Sequence, residues 1–386
     1  MRSSNPKGGG VWEAVRQLSH AQVQAGHEIT IITLDDPASP YESSGLRLIK
    51  AGVGLSHKYG YHPKFKAVLA ELVAQHDSFV VHGLWQYHGY AARQVLRSAR
   101  QPYVIYPHGM LDPWFKRNYP FKHLKKLFYW FWGEYPVLRD AAQVIFTSEE
   151  ERKASRNSFR PYKVNEVIIP LGLKCPNLDP INTRNRFFTD HPETVGKKLL
   201  LFLGRLHEKK GCDLLLHAFA RNCRGTDWTL LMVGPGLEDY SQKLRVLAVS
   251  LGIEKQILWL GMLMGEPKWA TFHAADAFIL PSHQENFAIA VVEALSCGVP
   301  VLISNKVNIW REIQDGGAGF VEEDTLEGTE RLIQAWQQAD VPTRETLKQK
   351  ARSLYLERFQ VETAAASLVN LLTGNMARNS SKNRVR

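Results

Sequence analysis

Two short stretches of this chain hold residue types suited to an anionic, hydroxyl-rich ligand. One is Pro281-Ser282-His283-Gln284-Glu285-Asn286-Phe287-Ala288, which follows an apolar run and opens a helical pattern. That pattern passes through Val291, Val292, Glu293, Ala294 and Leu295 to Cys297-Gly298, where glycine and then Pro300 stop it. Glu285 and Glu293 have E-x7-E spacing, two helical turns apart. A carboxylate accepts two hydroxyl hydrogen bonds at once, which suits a sugar or a ribose diol. A helix N-terminus offers N–H groups and positive dipole, so the backbone at Asn286, Phe287 and Ala288 suits a phosphate or sugar oxygen. The spacing by itself fits equally well a helix-start Glu followed by a solvated one.

The other stretch is Leu199-Leu200-Leu201-Phe202-Leu203, a buried-strand pattern, leading into Gly204-Arg205 and His207-Glu208-Lys209-Lys210-Gly211 before a further helix. Arg205 and Lys210 then stand past the C-terminal end of a strand, where two cations could neutralise a diphosphate leaving group without a metal ion. Lys209 is read as the solvated lysine of its pair. A solvated basic loop is the plainer alternative.

The elements that must carry these residues alternate along the chain. Apolar runs at 29–34, 79–84, 103–107, 143–147 and 167–171 predict strands in the first half, and those at 199–204, 229–234, 257–260, 277–281 and 299–303 do so in the second. Helical spacing lies between them, as in Val11, Ala14, Val15 and Leu18. Strand–helix alternation implies an α/β chain with doubly wound sheets. Pro, Asn and charge concentrate at 173–196, which predicts a linker between a domain over 1–172 and a second over 197–356. Two such domains would bind a ligand at the C-terminal ends of their strands, in a cleft between them. Gly8-Gly9-Gly10 should open the first helix, yet only seven residues precede it. A Rossmann-like half wants a central strand there, so a truncated N-terminus with a missing first strand is expected, leaving unpaired sheet edges.

The chain has 386 residues, enough for two domains, and 44% hydrophobic against 22% charged residues describes a well-packed globular protein. No apolar run approaches a membrane span and MRSSNPKGGG has no signal-peptide core, so a cytoplasmic location is expected. Cys175, Cys212, Cys223 and Cys297 form no CxxC pair, which argues against a zinc ribbon or a disulfide framework. The net charge of +10 has no nucleic-acid-binding signature beside it. Part of the excess lies at 375–386, which reads as a disordered basic tail. Neither HExxH nor Asp-x-Asp occurs, and no required metal is expected.

In order and spacing, GGGVWEAVRQL, YPHGML, IFTSEEE, VIIPLGL, LFLGRLHEKKG, LLMVGPG and LPSHQENFAIAVVEALSCGVPVL resemble the retaining glycosyltransferases of the GT-B fold, family 4, often called group 1. They span most of the chain. The resemblance implies two Rossmann-like domains facing a central cleft and a nucleotide-diphosphate sugar as donor substrate, with no cofactor. It assigns Arg205 and Lys210 to the donor diphosphate, Glu285 and the backbone of Asn286, Phe287 and Ala288 to the donor sugar, and Glu293 to the ribose diol. Gly9 and Gly10 would let the backbone approach the diphosphate or acceptor. His108 would lie beside the donor sugar, a core histidine satisfied by backbone being the alternative. Gly234, Gly261 and Met262 would border the base. A C-terminal helix over 357–374 would cross back to the first domain.

The resemblance implies transfer with retention of anomeric configuration; same-face attack is the expected route rather than double displacement, since no carboxylate stands out as a covalent nucleophile. The acceptor would be a glycan or lipid-linked glycan, as in lipopolysaccharide or exopolysaccharide synthesis. A sugar-nucleotide epimerase, a phosphorylase and a non-catalytic sugar-nucleotide binder remain open on the same fold. Aromatics and lysines interleave over Pro113–Tyr135, which fits a packed helix, an acceptor wall or peripheral contact with an anionic membrane.

Overall fold

The structure, a computed structural model, describes residues 1–5, 10–40, 45–54, 59–113 and 120–384, with side chains omitted at 120–122 and 376–384. The chain divides into two compact units, Met1–Leu173 with Gln360–Arg386, and Lys174–Phe359.

The first unit holds two parallel sheets. Strands β1 (Thr30–Thr33) and β2 (Arg47–Lys50) form one, while β3 (Phe79–His82), β4 (Tyr103–Tyr106), β5 (Gln143–Phe146) and β6 (Glu166–Ile168) form the other in that order. No ladder joins β1 to β3. A cavity of about 120 Å³ lies between them, lined by Met1, Thr30, Ile32, Val80 and Val81 among others. His76 bridges part of the gap, its Nε2 lying 2.9 Å from Thr30 Oγ1. The main core packs Tyr87, Ala91 and Leu96 of the helix Tyr87–Ser98 with Ile105, Val144 and Phe146 of the larger sheet, and with Trp130. The helix Val361–Arg384 packs on the helix Gly10–Gln24. Its first residue lies against Gly172, where a Cβ would stand 2.3 Å from Val361 Cα.

That last helix runs into the stretch expected to be a basic tail. It continues through 375–384, and Asn375 Nδ2 donates to Gln143 Oε1 at 3.4 Å.

The second unit is one six-stranded parallel sheet, with β7 (Lys198–Leu203), β8 (Trp228–Val233), β9 (Ile257–Gly261), β10 (Ala277–Leu280), β11 (Val301–Ser304) and β12 (Gly319–Glu322) in the order β12-β11-β10-β7-β8-β9. Residues 199–202 of β7 and all of β10 and β11 are buried, as expected of strands covered by helices on both faces. Within the stretch expected to be a linker, Pro180–Asp190 is a helix of this unit. Asp179 caps it by accepting from Asn182 N at 2.7 Å, and Pro180 is pre-set for its first turn. The helix buries Phe187 and packs on the helix Glu266–Ala274.

Candidate functional site

The strand order of the second unit reverses between β7 and β10, so connections leave these neighbours in opposite directions. The crevice beyond such a pair is where doubly wound sheets bind ligands. Both chemistry-bearing loops emerge there, 204–211 after β7 and 281–288 after β10.

The two loops touch through their backbones. His283 N donates to Lys209 O at 2.8 Å. Gly211 has φ 63°, and a Cβ on it would stand 2.3 Å from Pro281 O, so only glycine fits the approach. Side chains continue the seam: Lys209 Nζ donates to Gln284 Oε1 at 3.2 Å, which engages the lysine expected to be solvated. Lys210 Nζ forms an ion pair with Glu285 Oε1. A third loop steadies the carboxylate: Glu285 N donates to Lys306 O at 3.0 Å, and Asn308 N donates to Glu285 O at 3.1 Å. Arg205 is exposed at the end of β7. Burial first, then the Arg205 charge, lower the Lys210 ammonium from 10.5 to about 8. The Glu285 carboxylate favours the charged ammonium and opposes that shift. Two cations against one carboxylate leave this corner positive, which favours an anion.

The remaining residues named for this unit border the same sheet edge. Gly234 follows β8 with φ 139°, and a Cβ there would meet Gly204 O at 1.9 Å. Its N–H donates to Gly261 O at 2.6 Å. Met262, next to Gly261, is 63% exposed. Ala288 has φ 55° and caps the helix Ile289–Ser296. Phe287 is buried with its ring against Phe359, so its backbone is the part left for a ligand. Glu293 is buried in that helix, and Lys268 Nζ pairs with its Oε1 at 2.7 Å.

In the first unit, His108 follows β4 in a left-handed conformation, φ 53°, with Gly109 next at φ 74°. Consecutive residues of this kind need outside support. Buried Glu151 gives it: Gly109 N donates to Oε1 at 2.5 Å, while Thr147 N and Oγ1 both donate to Oε2 at 2.7 Å. Burial lowers the His108 imidazole to about 4, so it is neutral at pH 7. Gly10 is the exposed first residue of its helix, and Gly9 lies outside the described residues.

The aromatic stretch splits by face. Residues 114–119 lie outside the described part. Beyond them, Trp130 and Glu134 are buried in a π-helical turn, Trp130–Glu134, whereas Leu124, Phe128, Phe131 and Trp132 are exposed, Trp132 at 82%. Glu134 Oε2 accepts from Trp85 N at 2.9 Å, and burial raises its carboxyl to about 8. No described helix is long and apolar enough to cross a membrane.

Sequence reasoning missed Glu151, Lys268 and the 306–308 loop. Glu151 stands inside IFTSEEE, where three consecutive glutamates look alike. Lys268 and Asn308 carried no local signal.

Comparison with known proteins agrees with this geometry. Residues 9–172 match the glycosyl transferase 4-like domain, and 183–354 match glycosyl transferases group 1. A relative from Methanocaldococcus jannaschii, uncharacterized glycosyltransferase MJ1607, is 25% identical over 60% of this chain and 56% of its own length. The lipopolysaccharide core biosynthesis mannosyltransferase LpsB of Rhizobium meliloti is 27% identical over 47% of this chain and 57% of its own. The chain thus spans about half the length of the curated relatives it matches. Anabaena Alr3699/HepE, solved in complex with UDP, superposes with a TM-score of 0.76 at 19% identity, covering 97% of this chain and 98% of that one. Its fold is the same. The chain belongs to the group 1 glycosyltransferases and has their GT-B fold of two Rossmann-like domains.

Proposed function

We propose that this glycosyltransferase moves a hexose from a nucleoside-diphosphate sugar to a hydroxyl of a glycan or lipid-linked glycan, with retention of anomeric configuration. The observation that carries this reading is the Lys210–Glu285 pair at the strand-order reversal, with Arg205 beside it. A cationic corner holding one carboxylate suits a ligand with a diphosphate at one end and hydroxyls at the other. UDP in the HepE complex is a nucleotide of the kind required.

Arg205 and Lys210 take the diphosphate oxygens. Glu285, released from Lys210 as the phosphate competes for the ammonium, accepts from sugar hydroxyls. The backbone of Asn286, Phe287 and Ala288 holds the sugar from the helix start, and Glu293 is assigned to the ribose diol. Gly234, Gly261 and Met262 border the base, while neutral His108 is assigned to the donor sugar and Gly10 to backbone approach. The bond from the anomeric carbon to the diphosphate breaks as the acceptor oxygen attacks on the same face. The acceptor proton passes to the departing phosphate oxygen. Fixed cations stabilise the negative charge that develops there.

The acceptor reading draws on the LpsB relative, whose name places it in lipopolysaccharide core synthesis. Leu124, Phe128, Phe131 and Trp132 lie at helical spacing on one exposed face beside exposed Lys125. We assign this face to an anionic membrane surface on the cytoplasmic side, with aromatics in the interface and lysine at the headgroups.

Incubation with a panel of nucleotide sugars and lipid-linked acceptors tests the reaction. Product is expected only with both substrates, with unchanged anomeric configuration. Conversion of donor without acceptor, dependence on inorganic phosphate, or inversion would reject it. Binding to phosphatidylglycerol vesicles that falls with salt and with Trp132→Ser tests the membrane face.

A further inference from the structure

His82 and His108 come together although 26 residues separate them. His82 ends β3, and its register partner on the next strand is Tyr106, which ends β4. The rings of His82, Tyr106 and His108 are close to parallel, with centroids 5.2 Å apart for His82–Tyr106 and 5.5 Å for Tyr106–His108. The His82 and His108 centroids are 5.2 Å apart with planes 23° apart, and His82 Nδ1 lies 3.0 Å from His108 Nε2, so these two rings meet edge to edge. Behind them, His88 Nε2 lies 2.9 Å from His82 O, fixing the backbone that carries the ring.

We propose that His82 is a positioning residue for His108: it occupies Nε2, leaving Nδ1 as the nitrogen that His108 turns to a ligand. This inference rests on the assignment of His108 to the donor sugar.

The contact constrains both rings. A neutral imidazole has one N–H and one lone pair. If His108 donates from Nε2, His82 must accept at Nδ1, and each ring carries its proton on Nε2. If His82 donates from Nδ1, both carry it there. The two rings therefore share one tautomer, and His108 cannot change alone. Burial lowers His108 to about 4 and His82 well below its usual value, so neither is charged at pH 7. The titratable groups facing the pair are His88, the Met1 amino group and, against Tyr106, Glu151. Fixing a tautomer through the ring's second nitrogen is how imidazoles are oriented at working sites.

The test uses the full chain labelled with ¹⁵N-histidine. Long-range ¹H–¹⁵N spectra at pH 7 should show His82 and His108 in the same single tautomer. In His82→Phe, which keeps a flat ring and removes the nitrogen, His108 should become a tautomer mixture. Its kcat should fall roughly 10-fold or more with KM little changed, within the range of acid–base and orienting effects. His82→Asn, which restores a polar partner, should recover part of that loss. A single His108 tautomer surviving in His82→Phe overturns the proposal. So does unchanged kcat in His82→Phe when His108→Phe abolishes transfer. Full transfer by His108→Phe would instead refute the donor-sugar assignment, which the spectra do not depend on.

Discussion

Lys210 and Glu285 form an ion pair that ties the loop after β7 to the loop after β10, across 75 residues of sequence. On the proposed function, an arriving phosphate would replace the carboxylate on the lysine and free that carboxylate for hydroxyls.

Removing either cation should therefore cost donor binding. Lys210→Ala and Arg205→Ala should each lower kcat/KM about 100-fold or more, the scale of losing one charge-stabilising donor at a transition state. Lys210→Ala also leaves Glu285 facing the phosphate without its partner. Initial rates and calorimetric titration with nucleoside diphosphate check both variants, and full activity in either would remove the diphosphate role.

Donor affinity should fall as pH rises past 8. Lys210 is charged below about 8 and loses its proton above it, so each further pH unit should weaken binding up to tenfold. Lys210→Arg should be insensitive over the same range because a guanidinium stays charged. Titrations between pH 7 and 9.5 decide the point.

Glu134 makes a separate pH prediction. Its carboxyl is raised from 4.5 to about 8 by burial. The folded chain then holds a proton that the unfolded chain releases between those values, so stability falls as pH rises from 4.5 to 8. The loss should be about 5 kcal/mol when complete. Glu134→Gln stays neutral throughout and should show a flatter profile of denaturant midpoint against pH.

Gly211→Ala should be destabilising by roughly 1–3 kcal/mol, since it combines a positive φ with a backbone collision at Pro281. It should also weaken donor binding, because the same contact sets the spacing of the two site loops. Thermal melts with and without nucleoside diphosphate separate the two effects.

Transfer should survive chelation. If Arg205 and Lys210 supply the countercharge, excess EDTA should leave initial rates within about twofold. A collapse restored by magnesium would assign that task to an ion.

The strands that carry the site were legible because β7, β10 and β11 are unbroken apolar runs that only a two-sided burial explains. By contrast β2 has only Leu48 and Ile49 between basic residues, and β12 only Phe320 and Val321, too little for a periodic signal. The helix Pro180–Asp190 was hidden because Asn and charge outweighed its Asp-Pro start and its Phe187. At the site, Glu285 and Lys210 stood out by residue type and spacing, but their pairing is set by strand order. The support of Gly109 by Glu151 is likewise a tertiary contact, and so is the meeting of His82 with His108.

The helix Val361–Arg384 belongs to the first unit but is translated after the whole of the second. On the ribosome, all six strands of the second unit's sheet have emerged before the helix Gly10–Gln24 can receive its packing partner. The second unit can therefore complete its core during synthesis, while the first still lacks this packing partner.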